Sequence, residues 1–306
     1  MNIFLLLLFK IIPLYFIILL GYVAGKYLKI KKETVAKLLI FIISPVVIFN
    51  SVFTIKISIN ILFLPVLFFS LGCIICLTTF FIAKKIWSDS TRNILAFTSG
   101  IGNASYFGFP VAITLFGPNI ARLVLIAALG FILFQNSLGF YMTARGHFTM
   151  RESLRRVIKL PTIYAFFTGL VANFLRIKLG QSYLDFVSLF QGTFSVLGVM
   201  LIGIGLANIK NYQYDFKFIV ATLLIKFIIW PLLIFLVIFI DSKTIRLFNQ
   251  ELYKVMILVS IVPLAANTVA FASELKTHPE KAAMAVLIST MVALFYIPFV
   301  VGLFFS

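Results

Sequence analysis

Two short strings place amides, hydroxyls and helix breakers inside long apolar sequence: Ile101–Pro110, IGNASYFGFP, and Val262–Ala272, VPLAANTVAFA. Aligning Asn103 with Asn267 also aligns Phe107 with Phe271 and Gly108 with Ala272. A side-chain amide both donates and accepts, so either Asn can hold a solute oxygen or satisfy a freed backbone group. Ser105 and Thr268 add hydroxyls close by. Gly100, Gly102 and Gly108 permit close approach and unwinding, while Pro110 and Pro263 remove backbone donors. Freed amides at the N-terminus of a half-helix present a positive dipole end, which suits an anion. Paired interruptions in two halves of a membrane chain point to a carrier's binding site. The plainer alternative is a pair of kinked helices packed through small residues, with Asn103 as interhelical glue.

Other polar residues within apolar sequence extend the candidate set. Gln135 and Asn136 suit either a substrate cavity or contacts between helices. Lys226, in LLIKFIIWP, is a charge deep in a span and therefore a functional candidate. It fits two roles, a partner for a backbone carbonyl or a coupling group that attracts anions or carries protons. Glu274 is a possible coupling group, or a solvated helix end. His147 and His278 fall in connections, and no Asp or His sits mid-span. No metal site and no cofactor is expected.

The elements that carry these residues must be membrane helices. The chain has 306 residues, 62% of them hydrophobic and 11% charged, far from the balance of a soluble domain. The net charge of +17 reads as basic anchors between spans and not as a nucleic-acid surface. Cys73 and Cys76 share one apolar stretch and read as small buried hydrophobes. The N-terminal apolar run reads as a first span, since its basic flank follows it. With about 20 residues needed per crossing, ten spans are expected: 3–25, 34–54, 59–83, 91–116, 119–143, 161–178, 184–208, 216–240, 252–275 and 281–305. The expected fold is an all-α integral membrane protein with two inverted five-helix repeats, 1–144 and 161–306. A basic cytoplasmic connection, 145–160, joins them, and the broken crossover helices are the fourth and ninth. Gly21-Tyr-Val-Ala24 and Gly169-Leu-Val-Ala172 align as the closing turns of spans one and six. The odd-numbered connections carry 17 Lys and Arg and the other side 8, so both termini are expected outside the cell.

At Pro13-Leu14-Tyr15, at Gly102-Asn103 through Phe109-Pro110 and at Pro263-Leu-Ala-Ala-Asn267, the chain resembles the auxin efflux carrier family, within the wider group that includes bile acid sodium symporters. The resemblance runs through nearly the whole length. It implies a scaffold domain and a transport domain, with the two broken helices crossing in the latter. It implies a small organic anion as substrate, a mono- or dicarboxylate such as malonate or malate, moved by an elevator-like motion in a bacterial inner membrane. A proton or sodium ion is a possible coupling partner, and a homodimer in the lipid bilayer is the implied assembly. The long central loop of the plant carriers shrinks here to Arg145–Lys159, so regulation through it is not expected.

A secondary transporter of organic anions is therefore the leading function, with a sodium-coupled symporter of another solute as the alternative. There is no phosphate-binding G-x-x-x-x-G-K-[ST] loop. An intramembrane enzyme would need a base at membrane depth, and a channel would need charged rings or symmetric assembly; neither is visible. An inside-negative potential contributes about 2.3 kcal/mol per charge per 100 mV, which favours anion export.

Overall fold

The computed structural model describes residues 3–144, 149, 151–152, 155, 158–177, 179–207 and 215–304, with the backbone alone at 273 and 274. Most of the expected 145–160 connection lies outside the described residues. Among the described residues the regular elements are all helices. The elements are α1 Ile3–Lys26, α2 Lys32–Leu38, α3 Ser44–Phe53, α4 Ile59–Ala83, α5 Thr91–Ser99, α6 Phe109–Phe116, α7 Pro118–Asn136, α8 Leu138–Thr143, α9 Pro161–Phe174, α10 Gln181–Ala207, α11 Phe216–Leu224, α12 Trp230–Lys243, α13 Gln250–Ile261, α14 Asn267–Glu274 and α15 Pro279–Phe304.

Seven helical stretches are long and apolar enough to cross a bilayer among the described residues. The three other expected spans are shorter for visible reasons. Residues 91–116 and 252–275 are each interrupted, and α9 has only 14 residues, roughly 21 Å at 1.5 Å per residue. Apolar side chains such as Phe9, Phe16, Leu19 and Leu20 on α1 face outward, as a hydrocarbon solvent allows.

Three wide π-helical turns, Leu39–Ile43, Ala104–Gly108 and Ile225–Ile229, join α2 to α3, precede α6 and join α11 to α12. Each is followed two residues later by a proline: Pro45, Pro110 and Pro231. A proline in a helix lacks an N–H and its ring collides with the carbonyl four residues back. Widening the turn moves that carbonyl aside. At Pro231 the displaced carbonyl belongs to Phe227, and the Tyr296 hydroxyl donates to it, which satisfies a group that lipid could not.

The helices pack in two sets that also meet each other, α1 against α15 and α6, and α3 against α7. In one, α1 runs along α10 and α9 along α3. Gly21 and Gly203 make the first contact possible: a Cβ on Gly21 would strike the Met200 carbonyl, and one on Gly203 the Ile18 carbonyl. Gly169 does the same for α9, lying where a Cβ would be 2.9 Å from the Phe49 oxygen. Small residues let helix backbones approach in lipid, where packing replaces the hydrophobic effect. In the other set, α4 packs on α5 and α7, α7 on α13, and α15 on α11 and α14. Its core is aromatic, with Phe68, Phe131 and Trp230 in mutual ring contact.

Three connections of the second set meet on one face. Lys281 Nζ lies 3.0 Å from Asp215 Oδ2 and donates to Thr91 Oγ1 at 2.9 Å. His278 Nε2 lies 3.1 Å from Asp89 Oδ2. Burial pushes the Asp215 carboxyl up, but hydrogen bonds from the Phe218 amide and Lys281, with the Lys281 charge, hold it below the usual range. Burial acts likewise on Asp89, and there the Thr91 hydroxyl and amide, His278 and Lys281 bring it down. These residues belong to connections expected on the cytoplasmic side.

Candidate functional site

The two interruptions lie against each other. Helix α5 ends at Ser99, and the chain runs unwound to Asn103, whose φ of −80° and ψ of 56° are not helical. Helix α13 ends at Ile261, and Val262 is extended, with ψ of 152°. The Asn103 N–H donates to the Pro263 carbonyl at 2.8 Å. The freed backbone groups find partners nearby. Trp230 Nε1 donates to the Ser99 carbonyl at 2.7 Å. The Leu264 N–H donates to Ser289 Oγ at 3.2 Å, and the Thr268 N–H and hydroxyl both donate to the Ala265 carbonyl.

The glycines around the first break each serve a different neighbour. A Cβ on Gly100 would meet the Phe134 ring and the Gly72 carbonyl, so Gly100 seats the end of α5 on α4 and α7. A Cβ on Gly108 would come within 3.1 Å of Val262 Cγ1, so Gly108 brings the two interruptions together. A Cβ on Gly102 would sit 2.5 Å from the Lys226 ammonium and 3.0 Å from Val262 Cγ2. Pro110 stands in the first turn of α6.

Beside these breaks opens a cavity of about 350 Å³, within the range of small-molecule sites. Asn103, Ser105, Gln135, Asn136 and Asn267 all line it, although they come from three separate stretches of sequence. Thr268 does not line it; its side chain is buried and its hydroxyl closes the turn before α14. Asn136 spends its side-chain N–H on the Ile132 carbonyl at 2.8 Å, leaving its oxygen for the cavity. Asn103 is 4% exposed, and its side-chain nitrogen has no hydrogen-bond partner among the described residues. The charged lining is Lys32, Lys37 and Glu33.

Lys226 is 0% exposed. It lies in the π turn before Pro231, its ammonium 5.0 Å from the Trp230 ring centre and 5.8 Å from that of Phe131. No hydrogen-bond acceptor reaches it among the described residues. Gly102, which the ammonium touches, and Phe131 are both walls of the cavity. Two buried donors, Asn103 Nδ2 and Lys226 Nζ, thus stand without acceptors around one break. Leaving such groups unpaired costs several kcal/mol by order of magnitude. The Glu274 side chain lies outside the described residues. No cluster of His, Cys, Asp and Glu capable of holding a metal occurs among the described residues.

Sequence reasoning missed Lys32. It counted there as one of several connection lysines, yet it is 6% exposed and its ammonium donates to the Ala266 carbonyl at 2.9 Å. In the sequence nothing separates it from Lys29, Lys31 and Lys37. Tyr106, Thr162 and Phe194 also line the cavity without having been singled out as site residues.

A family model described as Membrane transport protein matches residues 6–152. A second, described as Sodium Bile acid symporter family, matches residues 192–306. No curated protein matches the chain. Each half of the chain is thus similar to a membrane-transport family, and the pair is the one that the residues around Asn103 and Asn267 resemble.

Proposed function

We propose that this multi-pass membrane chain, similar in both halves to transport families, is a secondary transporter of small organic anions bearing carboxylates. The observation that carries the reading is a buried donor on the cavity wall, Asn103 Nδ2, with a second, Lys226 Nζ, behind Gly102, both without acceptors among the described residues. A carboxylate supplies two acceptor oxygens and a negative charge. Asn103 and Asn267 are the groups that grip it, and Ser105, Gln135 and the Asn136 oxygen complete the shell. Lys226 acts through the thin wall at Gly102, where no side chain stands between its ammonium and the break. Burial in a low-dielectric interior strengthens that attraction.

Transport follows from the two packing sets. The set containing α1, α3, α9 and α10 is the frame. The set containing both interruptions is the moving body, carrying the cavity past the frame as an elevator. The matching roles of Gly21 on α1 and Gly169 on α9 support the inverted repeat on which such a motion depends.

The test is ligand-induced stabilisation of the purified protein. A ligand that binds only the folded state stabilises by RT ln(1 + [L]/Kd). Acetate, malonate and malate are tried against a neutral sugar and a quaternary amine. The reading expects at least one carboxylate to raise the unfolding temperature, and Asn103→Ala to remove the rise. A shift from the amine alone contradicts it.

A further inference from the structure

Lys32 is buried at the cavity with an incomplete set of partners. Its ammonium carries three donors, and the acceptor it reaches is a neutral main-chain oxygen, that of Ala266, 2.9 Å away. Its stem runs along α10 at Gly205, where a Cβ would stand 3.4 Å from Lys32 Cδ and Cε. Its position at the start of α2 sets it against the helix dipole. Burial, an opposing dipole and a single, neutral hydrogen-bond partner are each unfavourable for a cation, offset only by the charge of the adjacent Glu33, so stability alone gives little reason for a lysine here. Its contact also bridges the two packing sets. Lys32 lies on α2, which packs on α10 of the first set, and Ala266 is the residue before α14 of the second. The Ala266 oxygen also accepts from the Val269 N–H at 3.3 Å, so the bond is made to the opening turn of α14.

We propose that Lys32 is a binding group for the transported anion, parked on the Ala266 carbonyl when the cavity is empty, and that the anion's arrival frees the break before α14 from α2. The inference rests on the anion reading given above. A carboxylate is the stronger acceptor, since charge-assisted hydrogen bonds are roughly twice as strong as those to neutral groups. Moving the ammonium from Ala266 to substrate therefore couples occupancy to release of a tie between frame and moving body. Occupancy thus loosens this one contact between frame and moving body.

The test uses the full-length protein in nanodiscs, with radiolabelled malonate as probe and hydrogen exchange of the amides around 266–270 as a second readout. Lys32→Met keeps the stem and removes the charge; Lys32→Arg keeps the charge. The proposal expects malonate affinity to fall roughly tenfold or more in Lys32→Met, as for loss of a hydrogen bond to a charged group, and to be largely retained in Lys32→Arg. It expects the 266–270 amides to exchange faster in empty Lys32→Met than in the empty wild type, and malonate to speed exchange in the wild type. Unchanged affinity in Lys32→Met, with binding lost in Asn103→Ala, overturns the role of Lys32 and leaves the anion reading standing. Unchanged exchange in empty Lys32→Met overturns the tie. A wild type that binds neither malonate nor acetate overturns the anion reading, and the binding role of Lys32 with it.

Discussion

The Asn103 N–H donates to the Pro263 carbonyl across 2.8 Å, closing two interruptions on each other through the main chain alone. The Asn103 side chain takes no part in that bond. Replacing Asn103 by Ala therefore keeps the join and removes the cavity amide. We expect Asn103→Ala, and likewise Asn267→Ala, to insert and fold normally while substrate affinity falls. The lost hydrogen bond to a charged group is worth about 1.5–3 kcal/mol, a drop of roughly tenfold to a hundredfold. Size-exclusion profiles and radioligand binding on the same preparations check both halves of the statement.

Lys226 and Gly102 should act as a unit. A Cβ at Gly102 would sit 2.5 Å from the ammonium, so Gly102→Ala must push the lysine away from the break. Lys226→Met fills similar volume without a buried charge, and its effect on folding should be neutral or stabilising, while anion affinity falls. In the Lys226→Met background, Gly102→Ala should cause little further loss of binding. A double-mutant cycle measures this, with coupling above about 0.5 kcal/mol expected.

Much of this was legible in the sequence, for definable reasons. Proline, glycine and asparagine inside apolar runs announce interruption, and both breaks fell where IGNASYFGFP and VPLAANTVAFA placed them. Five of the six residues named for the substrate shell line one cavity. Thr268 shows what local pattern cannot give. Its hydroxyl suits a ligand by type, but the turn before α14 claims it. The π turns were not foreseen, although the prolines that cause them were visible. Lys32 was hidden because its burial depends on α10 and α14, more than a hundred residues away. One sequence shows a lysine beside other lysines and nothing of what packs over it.

The packing glycines are a test of the frame, separate from the site. A Cβ on Gly203 meets the α1 backbone at Ile18, which has no rotamer to yield. Gly203→Ala should destabilise by about 1–3 kcal/mol or more and lower the yield of folded protein. Gly192, on the same helix, faces open space, and Gly192→Ala should leave yield unchanged. Fluorescence size-exclusion of the two variants side by side decides it.

The Lys281–Asp215 pair sets an acid limit. The Asp215 carboxyl is held below its ordinary value, so its contribution is complete above the unfolded pKa, ~3.9. It is lost as pH falls through the lower folded value. Unfolding temperature should therefore decline as the medium is acidified below about pH 4, and Lys281→Met should flatten that part of the decline. Partial exposure of the pair makes the effect modest and sensitive to salt.

Flux in proteoliposomes tests the central claim most directly. Radiolabelled mono- and dicarboxylates are presented one at a time under a proton gradient, a sodium gradient or a membrane potential, with wild type beside Asn103→Ala and Asn267→Ala. An anion carrier built on the joined breaks predicts saturable movement of at least one carboxylate, driven by one of these gradients and lost in both variants. Full flux in both variants, or none for any carboxylate under any gradient, would contradict it.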